Sequence, residues 1–201
     1  MDKTMTPSAI TAGQIGKIQE LLGARLRKSR LPSEPVQQVL ATQGDAVADE
    51  MLAAIRTRVE AICNMIVRHV NVNRARTPQE ALKATGRNVY ANDSVVKTMP
   101  KGEGDEAEVH FFKHSRWISD DDLEEEYEKR GLTAVDPYSL AAVNEADPGF
   151  ADTHPNGTHW KDANGKWCYA AFDRWLDGRR VNVHRRGNDW RGDWWFAGLR
   201  K

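Results

Sequence analysis

The residues able to do chemistry crowd the last quarter of the chain. Between Asp152 and Lys201 stand Arg174, Arg179, Arg180, Arg185, Arg186 and Arg191, together with six of the seven tryptophans: Trp160, Trp167, Trp175, Trp190, Trp194 and Trp195. Arginine and tryptophan bring large contact area with few rotatable bonds and so mark binding surfaces. Tryptophan also fills the core of a small β-rich domain, and about half of these six are expected to be buried. Covalent chemistry finds less support. Serine, histidine and aspartate occur without a Gly-x-Ser-x-Gly elbow, and no phosphate loop is present, so no catalytic residue is expected. His110 and His114 stand four apart, and His154 and His159 flank Pro155-Asn156-Gly157-Thr158, but neither pair has a third ligand at zinc-site spacing. The acidic run Asp120, Asp121, Asp122, Glu124, Glu125 and Glu126 reads as a solvated helix face rather than a Mg²⁺ site, because successive helical carboxylates diverge. No metal and no cofactor are expected.

Charge separates two binding classes. Over 201 residues, 29 Lys and Arg balance 29 Asp and Glu, but Asp152 to Lys201 holds ten cations against six aspartates. That segment is therefore about +4 and the remainder about −4. Its arginines with Trp175, Trp190 and Trp194 would suit single-stranded nucleic acid, RNA included, at ~1–3 kcal/mol per stacked base. Against this, Asp173, Asp177, Asp189 and Asp193 interrupt the positive track that sequence-independent binding needs. A protein or other macromolecular ligand is the favoured partner. Cys63 and Cys168 are too few for a disulfide framework and are expected to be reduced core thiols. No apolar run approaches the ~18 residues of a membrane span. The polar opening Met1 to Pro7 leads into no apolar signal region, so a cytoplasmic protein with no membrane partner is expected.

The elements that must position these residues follow from periodicity. Ile15, Ile18, Leu22 and Leu26 predict an amphipathic helix over Thr11 to Ser29. Ser33-Glu34-Pro35 starts a short helix that Gly44 closes, and Asp45 then caps a helix of about six turns carrying Val47, Met51, Ile55, Val59, Ile62 and Ile66. Such helices can pack on one another or join copies of the chain into a homo-oligomer. Thr77-Pro78 with Glu80 forms a capping box for a short helix ending near Gly86. Pro100 to Asp105 reads as a flexible domain boundary. Beyond it come a strand over Glu108 to Lys113, a helix capped by Ser119 and stopped at Gly131, and a helix opened by Asp136-Pro137. Hairpin turns at Asn164-Gly165 and Asp177-Gly178 separate strands up to the terminal Trp194 to Arg200. The expected fold is α+β: a helical segment 1–75, a connector 76–104, and a domain 105–201 of two helices and a small antiparallel tryptophan-rich sheet.

The order of two helices, a tryptophan-rich sheet and a closing aromatic-Ala-Gly-Leu-Arg strand resembles the C-type lectin-like fold. More narrowly, it looks like the branch shared by formylglycine-generating enzymes and the variable proteins of diversity-generating retroelements. Glu128 to Pro137 holds the place of that branch's Gly-x-Arg-x-Pro-Thr segment, departing at Leu132-Thr133, and Trp195 to Arg200 holds the place of its last strand. Lys83 to Tyr90 is similar to a connector of small uncharacterised bacterial and phage-type proteins. The enzymes of the branch bind copper through a cysteine pair, and Cys168 alone cannot supply it. Calcium-dependent lectins use Glu-Pro-Asn, whereas Asn156 follows Pro155 without the glutamate. The resemblance thus implies a non-enzymatic binding protein. Its ligand face would comprise Arg180, Asn182, His184, Arg186, Asn188, Trp190, Arg191, Asp193 and Trp194, with Val181, Val183, Ala197 and Leu199 turned inward.

Overall fold

The structure, a computed structural model, describes residues 10–63, 65–176, 178–185 and 187–201, with backbone alone for 60–63. Seven helices and eight strands occur among the described residues, and the chain divides into two compact units between Ile62 and Cys63. The fold is α+β, helices first and sheet after, as its periodicities predict.

The first unit contains two helices. Helix α1 (Ala12–Ser29) starts at Thr11, whose side chain accepts from the Gln14 amide while Gln14 reaches back, and it ends at Arg30 in the left-handed conformation. Helix α2 (Ser33–Cys63) is continuous where two helices were expected. Its one interruption is a kink at Gln43 (φ −138°, ψ 15°), one residue before the expected stop at Gly44. The helix ends at Cys63, so Ile66 is not the last apolar residue of its stripe. Ile62 and the thiol of Cys63 lie outside the described side chains.

Ile66 belongs instead to β1 (Met65–Asn71), which pairs antiparallel with β3 (Glu106–Lys113) from Met65↔Phe112 to Asn71↔Glu106. The chain between these partners is no connector. It carries α3 (Pro78–Ala84), β2 (Asn88–Ala91) and α4 (Asp93–Val96), and buries Leu82, Val95 and Val96 completely or nearly so. The expected boundary at Pro100–Asp105 also fails. Arg74 donates to the carbonyls of Lys101 and Gly104, to Asp136 at 2.9 Å and to Ser139 at 2.9 Å, tying that stretch to the start of α6 (Pro137–Ala146). Its glycines serve backbone geometry rather than flexibility: Gly102 has φ +67°, and a Cβ there would lie 2.4 Å from Asp136 Oδ2.

The remaining elements are α5 (Asp120–Lys129), β4 (Leu132–Ala134), α7 (Phe150–Thr153), β5 (Asn156–Lys161), β6 (Trp167–Trp175), β7 (Gly178–Arg185) and β8 (Trp195–Arg200). They complete one sheet in the order β1-β3-β8-β5-β6-β7-β2, with β4 also on β8. The sheet is larger than expected and mixed, since β5 pairs parallel with β8 and β2 parallel with β7. Its middle is buried on both faces. Val109, Phe111, Ala170, Phe172, Val181, Val183 and Ala197 meet α3, α4, α6 and α7 on the first face. Phe112, Ala171 and Phe196 meet Leu123 and Tyr127 of α5, with Ile118 and Trp190, on the second.

Gly102→Ala is expected to destabilise the second unit by about 1–3 kcal/mol, the cost of a left-handed non-glycine residue that also displaces Asp136. An unchanged urea midpoint would show that Arg74 and Asp136 do not hold this loop.

Candidate functional site

The second face of the sheet is covered at one end and open at the other. Asp120 decides where the cover begins. It is the first residue of α5, capped by Ser119, and it shares a helix face with Leu123 and Tyr127, three and seven positions on. That face turns inward, so Asp120 is buried, not part of a solvated acidic run. Its Oδ1 accepts from Trp190 Nε1 at 2.8 Å and lies 2.8 Å from His159 Nδ1 on β5. A buried carboxylate is tolerable only with such partners.

His159 is fully enclosed. Its Nε2 is 2.8 Å from Glu124 Oε1, an ion-pair contact without hydrogen-bond alignment, and its ring stacks on Trp167 at 4.5 Å. Burial pushes its pKa down, but Asp120 and Glu124 on either side outweigh burial and leave it above the ordinary 6.5. The same contact holds the Glu124 carboxyl below its ordinary value.

Trp190 was expected on the ligand face and is instead 1% exposed. Its ring meets Phe196, Tyr169 and Trp194 edge-on at 5.4, 5.6 and 5.6 Å. The ring lies over Gly157, where any Cβ would stand 2.8 Å from the indole. Its backbone exchanges two hydrogen bonds with Ile118. Trp190 is therefore the peg that fixes the loop 187–194 over β5 and β6. Only two of the six C-terminal tryptophans, Trp160 and Trp190, are buried; Trp175 is half exposed, and Trp167, Trp194 and Trp195 lie between.

Beyond the peg the sheet is bare. Val181 and Val183 are buried on the first face, as expected, and so is Ala197, while Leu199 packs only partly against that core. Their neighbours Arg180, Asn182 and His184 take the second face, half-buried. Register aligns Asn182 with Tyr90 on β2 and Ala171 on β6, and aligns His184 with Tyr169. Tyr90 is half exposed, and the Tyr169 and His184 rings are 6.4 Å apart. Arg180 forms two bonds to Asp173, at 2.6 and 2.8 Å, and lies over Trp175 at 4.8 Å. Asn188 is exposed in the loop and lines a shallow cleft of about 400 Å³ with Ser119, Asp121, Trp167 and Arg185. Arg191 and Asp193 pair with each other at 2.7 Å on the outside, and Trp194 is half-buried against Trp190. Arg186 lies outside the described residues.

The site thus brings together Arg180, Asn182 and His184, places Asn188 and the Arg191–Asp193 pair on the flanking loop, and withdraws Trp190 into the core. Sequence reasoning missed Tyr90 because β2 joins the sheet by a parallel pairing with residues 92 positions later in the chain. It missed Asp120, although its spacing from Leu123 and Tyr127 is the signal of an inward helix face. No protein-family model matches the chain, and neither the search of curated proteins nor that of solved structures finds a match. No helix among the described residues is long and apolar enough to cross a membrane.

Because the His159 pKa is raised, its ion pairs should stabilise fully below pH ~6.5 and lose that contribution as pH rises through the folded-state value. The Glu124 share acts above that carboxyl's ordinary value and is lost as pH falls through the depressed one. An NMR titration should place the His159 imidazole above 6.5, and His159→Gln should flatten the alkaline slope of stability. A His159 that titrates below 6.5 would contradict the two-carboxylate clamp.

Proposed function

We propose that the chain is a non-enzymatic binding protein whose open face on β6, β7 and β2 takes a protein ligand, as its resemblance to the lectin-like variable proteins implies. The observation that carries this reading is the composition of the face. Tyr90 on β2 stands in register with Asn182 on β7, His184 two residues along β7 stands in register with Tyr169 on β6, and Trp175 lies under Arg180 at one end. Amphipathic rings and short polar side chains on rigid strands are what a protein-recognition surface uses.

The nucleic-acid alternative is weakened by the same geometry. Arg174 and Arg179 share Asp152, Arg180 holds Asp173, Arg185 holds Asp162 and Arg191 holds Asp193. Each described arginine of the expected track has a carboxylate partner, so a phosphate would have to displace an existing ion pair.

Display of random peptides against the full chain tests the reading. Enriched peptides are expected to lose at least tenfold in affinity with Tyr90→Ala plus His184→Ala; Tyr90 is exposed and His184 half-buried, so the pair should cost about 1 kcal/mol of stability or less. Fluorescent (rU)20 is expected to bind weakly. Peptide binding that ignores both substitutions, or tight (rU)20 binding that falls steeply with salt, would overturn it.

A further inference from the structure

The first unit has a surface that its own two helices do not bury. Among its described side chains none is buried: α1 buries none, and every residue of α2 up to Val59 is half-buried or exposed. Nine of the fourteen exposed large apolar side chains among the described residues lie here, Leu21, Leu26, Leu40, Leu52 and Val59 among them. Helices of this length draw most of their stability from packing an apolar stripe. On α2, Val47, Met51, Ile55 and Val59 repeat every four residues. In one chain Val47, Met51 and Ile55 are only half-buried and Val59 is exposed, so the stripe is incompletely covered.

Charge indicates what covers it. Helix α1 carries Lys17, Arg25, Arg27 and Lys28 against Glu20, a net +3; α2 carries Glu34, Asp45, Asp49, Glu50 and Glu60 against Arg56 and Arg58, a net −3. The two helices together sum to zero but are divided, one of each sign. A second copy of the same chain offers each α2 another helix of opposite charge, together with a matching apolar stripe. We infer that two copies close their first units into a four-helix bundle in which α1 and α2 alternate around the axis. Every neighbouring pair is then oppositely charged. The arrangement with α1 beside the partner's α1 would set two +3 helices together, and like charges at close range oppose association. Four helices also enclose a core that two cannot, with Ile18, Leu22, Val47, Met51 and Ile55 turned to the axis.

Sedimentation equilibrium of the full chain tests this. The expected mass is twice 22.7 kDa, and Val47→Asp with Ile55→Asp should give a monomer whose near-ultraviolet circular dichroism shows the second unit still folded. Reversing α1 with Lys17→Glu, Arg25→Glu and Arg27→Glu should weaken the dimer at least tenfold. Adding Asp45→Lys, Asp49→Lys and Glu50→Lys should restore it. A monomeric wild type at micromolar concentration, a trimer, a dimer that survives Val47→Asp with Ile55→Asp, or a charge reversal that is either silent or not rescued would each overturn the bundle.

Discussion

One buried carboxylate sets the geometry of the second face. Asp120 offers the same oxygen to the Trp190 indole and the His159 imidazole, and so joins the first turn of α5, strand β5 and the loop 187–194. Removing one partner of a buried ion pair costs about 3–5 kcal/mol, because the other charge stays buried alone. Both contacts satisfy the one buried carboxylate. Trp190 thereby occupies the space over Gly157 and anchors the loop over β5 and β6. The open face is what remains beyond that peg.

The charge pattern has a related logic. The C-terminal segment holds four more cations than acids, but its arginines from Arg174 to Arg191 that the structure describes each stand against a carboxylate. Arg179 with Asp152 fastens β7 to α7, Arg185 with Asp162 fastens it to the β5–β6 turn, and Arg180 with Asp173 crosses from β7 to β6. Arginine suits this work because its planar fork meets a carboxylate at two points. The face between these pairs is aromatic and hydrogen-bonding, with Tyr90, Tyr169, Asn182 and His184. On the binding reading proposed above, such a face would discriminate by shape and polar fit rather than by long-range attraction.

Local signals in the sequence carried their own elements well. Thr77 with Glu80, Ser119, and Asp136-Pro137 cap the helices they were expected to cap, and the Asn164-Gly165 turn joins β5 to β6. What periodicity could not reveal was pairing at a distance. Strand β2 reaches β7 across about 90 residues, and β1 reaches β3 around an inserted α3, β2 and α4. Phe111-Phe112 and Ala170-Ala171-Phe172 lack alternation because both faces of these strands are covered. Ile66 misled for a related reason: it continued a helical spacing by chance, while its β-branched neighbours already favoured a strand. For the site, alternation along β7 correctly turned Arg180, Asn182 and His184 away from Val181 and Val183. Trp190 was misplaced because a tryptophan in a loop gives no local sign that a glycine 33 residues earlier makes room for it.

Hydrogen exchange at the Trp190 indole tests the central claim, that a preformed loop pinned at Asp120 bounds the open face. If the peg is permanent, the Nε1 proton should exchange only through global unfolding, on the same timescale as the amides of β6, and far more slowly than the indole of exposed Trp117. An indole at Trp190 that exchanges as fast as the one at Trp117 would mean the loop lifts freely from the sheet, and the face would have no fixed boundary.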